Sequence, residues 1–247
     1  MNGEFNWAPY CGSAPLPADW LGRWNSDPLL IAGLVLGAVL WSRWAVGPKP
    51  VERQRFAIAA GLLVILFVSP VCALTSALFS ARVTHHVLLT AAAAPLLVLS
   101  VPRETLPRTG SLTFWTVAQM IVFWAWHSPN LYSAALSSDA AYWLMQASLL
   151  ASAFGFWAAL RRSNEAAAIA ALLLSMVQMG LLGALITFAG MPLYAPHFAS
   201  TAPWGLAPLE DQQLAGLIMW IPSAGIYLGA ALALANRWLG ANLRPSS

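Results

Sequence analysis

Seven apolar segments dominate the chain, at approximately 28–46, 56–78, 85–101, 113–128, 140–160, 166–189 and 213–236. A helix needs about 20 apolar residues to cross the hydrocarbon of a bilayer. The segments therefore predict an all-α, polytopic membrane bundle of seven transmembrane helices. The third and fourth are short and are expected to continue into the interface. None alternates with period two, which disfavours a membrane β-barrel. Composition points the same way: 9% of the 247 residues are charged and 59% are apolar, against roughly 25% charged in a soluble domain. Intrinsic disorder is excluded by the same balance. The pI of about 9.2 does not indicate a nucleic-acid partner. The net charge is only +3, and no basic cluster extends beyond Lys49–Arg55.

The few charges predict an orientation. Arg43, Lys49, Arg53, Arg55, Arg103, Arg108, Arg161, Arg162, Arg237 and Arg244 fall in alternate loops and the C-terminal tail, which makes ten of the 12 basic residues. The other side holds Arg23 and Arg82. By the positive-inside rule the first set is cytoplasmic, so the N-terminus is outside and the C-terminus inside. Residues 1–27 then form an extracytoplasmic segment, 28–236 the membrane domain and 237–247 a cytoplasmic tail. The outer pieces 1–27 and 190–212 contain Trp and Pro and are expected to pack down on the bundle as caps. Residues 1–27 lack a short apolar core after a basic start, so no cleaved signal peptide is expected. Cys11 lies in a polar segment and Cys72 in an apolar run, a weak disulfide candidate from sequence. The pairs Gly33/Gly37 and Gly225/Gly229 have the spacing that lets membrane helices approach closely. Pro70, Pro95 and Pro222 are expected to bend the helices that contain them.

All four histidines map to the outer side. His85 and His86 open the third segment, His127 closes the fourth and His197 lies before the seventh. Neutral imidazole suits copper, zinc or iron. Met191 and Met219 are soft groups on the same side, and Cys11 joins them if the N-terminal segment folds back. Adjacent His85 and His86 diverge by about 100° on a helix. His86 and His127 are accordingly the better metal candidates, with His85, His197 and Met219 as further ones. An ordinary reading competes, because histidines at membrane interfaces often serve only as amphipathic side chains. Arg82 sits at a depth where a charge either snorkels or pairs; Asp139, Glu210 and Asp211 are available, and an Arg82–Asp211 clamp is the hypothesis, resting on same-side placement alone. Met120, Met176 and Met179 are read as packing residues. There is no intramembrane carboxylate pair, no nucleophile–base arrangement and no glycine-rich phosphate loop, so no enzymatic activity is expected.

Three stretches resemble one family, the multi-span cytochrome c oxidase assembly factors of the CtaG type. The first comprises Phe79-Ser80-Ala81, His86-Val87-Leu88-Leu89 and Ala94-Pro95-Leu96-Leu97-Val98-Leu99. The second is Trp124-Ala125-Trp126-His127 with Pro129, Leu131-Tyr132 and Ala134-Ala135-Leu136. The third and most specific is Trp204-Gly205-Leu206, Pro208-Leu209, Asp211-Gln212-Gln213-Leu214-Ala215-Gly216-Leu217-Ile218-Met219-Trp220 and Pro222. The resemblance implies a non-enzymatic assembly factor for a haem–copper oxidase, delivering or inserting copper on the extracytoplasmic face of a bacterial plasma membrane. Its implied partners are oxidase subunits, membrane lipid and a copper chaperone. His86 and His127 occupy positions matching the family's ligand candidates, and Asp211, Gln212, Gln213 and Met219 match the start of the last helix. The chain departs from the pattern at Arg82 and Val83, where a His-Met pair is usual, and at Tyr142, Met145 and Gln146, where further His or Glu stand. A metal-free scaffold for oxidase subunits is the alternative. A copper transporter ranks last, because no chain of ligands continues toward the inner face.

Overall fold

The computed structural model describes residues 9–242. Arg244, assigned above to the cytoplasmic side, lies outside the described residues. There are ten α-helices and no strand among the described residues: α1 Pro28–Trp44, α2 Pro50–Phe67, α3 Pro70–Ala77, α4 Phe79–Leu88, α5 Ala94–Leu99, α6 Leu112–Trp126, α7 Pro129–Ala135, α8 Asp139–Arg162, α9 Glu165–Thr187 and α10 Pro208–Asn242. The starts follow local chemistry. Proline, which has no N–H to leave unpaired, opens α1, α2, α3, α7 and α10. Side-chain oxygens of Asp27, Ser69, Ser111 and Asn164 accept first-turn amides of α1, α3, α6 and α9.

Each expected segment is helical, but seven spans are not found. Four helices are long and apolar enough to cross a membrane, or five if the bent pair α2–α3 counts as one. The four are Phe79–Leu99, Asp139–Arg162, Glu165–Thr187 and Pro208–Gly240. Helices α1 and α6, with 17 and 15 residues, are shorter than the ~20 residues a span needs. Gly47-Pro48 follows the end of α1, and α6 is bounded by Gly110-Ser111 and Ser128-Pro129, so turn chemistry truncates both apolar runs. Large apolar side chains line the outside, among them Leu174, Val177 and Leu181 on α9 and Ile221 and Leu232 on α10. Such a continuous apolar exterior suits lipid rather than water.

Of the three prolines expected to bend their helices, Pro70 lies at a sharp bend, while Pro95 and Pro222 lie within unbroken spans. At Ser69-Pro70 the chain breaks, and α2 and α3 meet at 49°. Around Pro95 the helix instead continues through a π-turn at Leu89–Ala93. There the Ala94 amide bonds to the Leu89 carbonyl instead of that of Thr90, and Pro95 has no amide to offer. Trp157 Nε1 donates to the Thr90 carbonyl at 3.0 Å, so a side chain supplies the donor that the backbone withdraws.

The closest backbone approach lies away from the two glycine pairs named above. Nothing stands within 4 Å of where a Cβ would lie on Gly33, Gly37, Gly225 or Gly229. Helices α9 and α10 meet at Gly183 and Gly216 instead. A Cβ on Gly216 would stand 2.6 Å from the Gly183 carbonyl and collide with the Thr187 hydroxyl, and one on Gly183 would stand 2.8 Å from the Gly216 carbonyl.

Cys11 and Cys72 form a disulfide with a Cα–Cα distance of 5.4 Å, which corrects their reading as a weak pair. The N-terminal segment folds back, as proximity to Cys72 requires. Tyr10 stacks on Tyr142 at 4.9 Å and its hydroxyl donates to Asp27. Trp204 Nε1 reaches the Pro15 carbonyl at 3.2 Å. The segments before α1 and between α9 and α10 therefore lie on the bundle and on each other, as expected of caps.

Gly216→Ala is expected to lower stability by about 1–3 kcal/mol through overpacking. Gly33→Ala and Gly225→Ala, made into open space, should leave it unchanged or slightly raised. Thermal unfolding of the three variants in detergent micelles checks this contrast.

Candidate functional site

Helix α3 ends at Ala77, Leu78 is extended, and α4 begins at Phe79. A helix that restarts inside a bundle exposes unpaired amides. Asp211, from the first turn of α10, supplies the acceptors. One carboxylate oxygen takes the Phe79 amide at 2.7 Å, and the other takes the Ser80 amide at 3.2 Å and the Ser80 hydroxyl. This cap sets the rotation of α4 and turns Arg82, Val83, His85 and His86 inward, all of them fully buried.

Asp211 therefore does not pair with Arg82. The only ion pair among the described residues is Asp19–Arg23, and the carboxylate is occupied by the start of α4. None of the three Arg82 side-chain nitrogens makes a hydrogen bond of good geometry, although the hydroxyls of Tyr132 and Tyr142 lie close to its guanidinium. Its guanidinium carbon lies 5.3 Å from the centre of the Tyr142 ring. A cation–π contact contributes about 2 kcal/mol when desolvated, below the several kcal/mol that burying an ion costs.

His86 and His127 come together. His86 Nδ1 and His127 Nε2 stand 3.5 Å apart. His127 Nδ1 donates to the Phe123 carbonyl at 2.7 Å. A carbonyl only accepts, so the proton sits on Nδ1 and the Nε2 lone pair points at His86. Tyr194 donates its hydroxyl to the His127 carbonyl at 2.7 Å, holding that turn from the outer loop. The Phe123 ring stacks on the imidazole at 4.4 Å. His86 Nε2 is buried and has no partner.

The other expected ligands do not join them. The His85 ring lies edge-on between Phe67 and His86, with centroid distances of 5.0 and 5.9 Å, and both its nitrogens lack partners. His197 is fully engaged elsewhere: Nδ1 donates to the Ala77 carbonyl at 3.2 Å, and Nε2 accepts from the Tyr132 hydroxyl at 2.6 Å. Both its ring nitrogens are thus engaged away from the His86–His127 pair. Met219 is fully buried in the apolar core. Among the described residues no group of three or more His, Cys, Asp or Glu side chains is placed to hold a metal ion.

Gln212 and Gln213 act as fasteners. The Gln212 carbonyl oxygen accepts the Leu193 amide at 2.6 Å and its amide donates to Ile186 and Met191 carbonyls, tying the outer loop to α10. The Gln213 backbone carbonyl accepts from Thr187 at 3.5 Å. Sequence reasoning assigns no role to Tyr194, nor to Ser80 and Tyr132 beyond their place in the family-like stretches. A signal existed for the tyrosines, whose amphipathic rings suit an interface with one wet end. No local pattern marks Ser80 as the partner of a residue 131 positions away.

His197 lies in the loop outside the spans. Burial, with a further contribution from the Arg82 charge, holds its pKa down at about 3, against the opposing pull of the Ala77 carbonyl. The folded protein thus keeps it neutral, while the unfolded chain takes up a proton from pH 6.5 downward. Stability should fall as pH drops through that window and level off below about 3, by up to ~1.4 kcal/mol per pH unit for this group. Comparing unfolding of the wild type and His197→Gln across pH 7 to 4 should show a shallower slope in the variant. Asp211→Ala should cost at least about 1.5–3 kcal/mol, since buried donors lose a charged acceptor. Asp211→Asn, which keeps one acceptor oxygen, should cost less in the same denaturation assay.

The model of one protein family, described as a cytochrome c oxidase caa3 assembly factor, matches residues 33–241, most of the chain. No curated protein and no solved structure matches it.

Proposed function

Because the chain belongs to the family of cytochrome c oxidase caa3 assembly factors, we propose that it helps mature a haem–copper oxidase by passing copper through the His86–His127 pair. The carrying observation is the 3.5 Å between two ring nitrogens that face each other. An ion about 2.0 Å from each nitrogen spans that gap at an N–metal–N angle near ~120°, without moving either ring. The Phe123 carbonyl presets the tautomer that His127 needs for this role. Two imidazoles and no third ligand make a site that binds a soft cation and also lets it go, which suits cargo in transit. Copper is here the substrate, and oxidase subunits are the recipients; a copper chaperone fits as donor.

The orientation proposed is N-terminus outside and C-terminus inside, in a bacterial plasma membrane. A disulfide persists in an oxidising compartment, and Cys11–Cys72 lies at the same end as the histidines. The opposite end gathers arginines: Arg161 donates to the Val98 and Val101 carbonyls, and Arg55 to that of Leu99. The role is non-catalytic in this reading.

A second reading, a metal-free scaffold, is favoured by one observation. Arg82 carries a buried charge near His85 and His86, and such a charge disfavours a cation.

The test is copper bound per polypeptide in protein purified and reconstituted with Cu(I), alongside oxidase activity in cells. His86→Ala and His127→Ala should each weaken copper binding at least ~10-fold and lower oxidase activity together with it. If the wild type holds no copper while oxidase assembly still depends on the protein, the scaffold stands and copper transfer is rejected.

A further inference from the structure

A cavity of about 490 Å³ opens at the basic end of the bundle, away from the histidines, between α1, α5, α6, α8 and the segment 100–111. Its volume lies within the roughly 300–1,000 Å³ of small-molecule sites. Leu97, Leu150 and Phe154 make its apolar wall, flanked by Trp41 and Trp115. Gly155 leaves room for the Trp115 ring, which lies where a Cβ would stand. Both indoles are oriented by polar contacts at this end: Trp115 Nε1 donates to the Thr109 carbonyl at 2.7 Å and Trp41 Nε1 to the Ser100 hydroxyl at 3.3 Å. Tryptophans held in this way are typical of the membrane–water boundary.

Arg162 lines the same cavity. Its Nη1 is sealed from solvent and has no acceptor. The neighbouring charge is Arg108, of the same sign, and no carboxylate pairs with either among the described residues. Arg161 and Arg55, close by, differ in that each reaches helix-end carbonyls. Arg162 thus lines an apolar cavity between membrane helices, and the like charge of Arg108 acts on it from nearby. The complementary ligand has an anionic oxygen-rich head and a hydrocarbon chain.

We propose that this cavity binds an anionic phospholipid, with its phosphate held by Arg162 and Arg108 and an acyl chain lying along Trp41, Leu150 and Phe154. Guanidinium forks suit phosphate oxygens, and basic pockets between membrane helices are recognised settings for anionic headgroups. Free phosphate would meet the arginines but leave the apolar volume empty. The site is independent of the histidine pair and of copper handling.

The experiment is native mass spectrometry of the full chain in a neutral detergent, titrated with phosphatidylglycerol, phosphatidylcholine or inorganic phosphate. The wild type should retain one phosphatidylglycerol at least ten times more tightly than phosphatidylcholine. Arg162→Gln should lose that preference, and Arg162→Lys should restore part of it. Ala151→Trp, which fills the cavity and leaves both arginines in place, should also weaken phosphatidylglycerol binding about ten-fold. It keeps the test decisive if Arg162→Gln does not fold. Equal binding of the two lipids by the wild type, unchanged phosphatidylglycerol binding in Ala151→Trp, or inorganic phosphate binding as tightly as the lipid would each overturn the proposal.

Discussion

The Asp211 carboxylate holds the start of α4, and much of the outer half of the bundle follows from that contact. The chain breaks at Leu78, so a new helix must begin in a place where no water can satisfy its first amides. A local cap is not offered, since Leu78 has no polar side chain. The acceptor comes instead from α10, 131 residues away, with both oxygens engaged. Once α4 is set, its rotation decides which side chains face inward. Val83, His86 and Arg82 then pack against Tyr132, Tyr142 and the turn at His127. The neighbouring Gln212 fastens the loop that carries Tyr194 and His197. One short run at the start of α10 thus organises three segments that are distant in sequence.

The two ends of the bundle use polar groups in opposite ways. At the histidine end, histidine, tyrosine and carboxylate side chains close around backbone groups: Ala77, His127 and Phe123 carbonyls and the first amides of α4. The result is a buried chamber in which Arg82 stands without a hydrogen bond of good geometry. At the opposite end, arginines reach the final carbonyls of α5 and the segment after it, where a helix C-terminus favours positive charge. The proposed copper handling belongs to the first region and the proposed lipid binding to the second, and the chemistry of each differs accordingly.

Legibility varied with the range of the interaction. The apolar segments and their helical state were plain, because hydropathy is a local property. Their span status was not. The 17 residues of α1 and 15 of α6 fall short because turn residues cut apolar runs that hydropathy alone reads as continuous. The effect of Pro70 followed from proline's missing amide. That Pro95 would be accommodated by a π-turn and by Trp157 did not, since the donor comes from another helix. Gly33/Gly37 and Gly225/Gly229 had the spacing for close packing, yet the contact forms at Gly183 and Gly216. Spacing states what a helix can do, and the neighbouring helix decides whether it happens. Arg82 was judged to need a partner, but the pairing with Asp211 does not form: unpaired helix amides compete for the same carboxylate.

From the sequence alone came the membrane class, the all-helical state, the uneven placement of charge, and His86 and His127 as the histidines to watch. These rest on composition, on residue order and on motifs that are read within a few positions. The tertiary structure decided which polar groups meet. It brought Cys11 to Cys72 across 61 residues, gave His197 to Tyr132 and Ala77, gave Asp211 to α4, and left Arg82 without a hydrogen bond of good geometry. The reason is physical. In a low-dielectric interior each buried donor and acceptor must find a partner, several candidates compete for each one, and only the packing of the helices settles which contact is close enough to form.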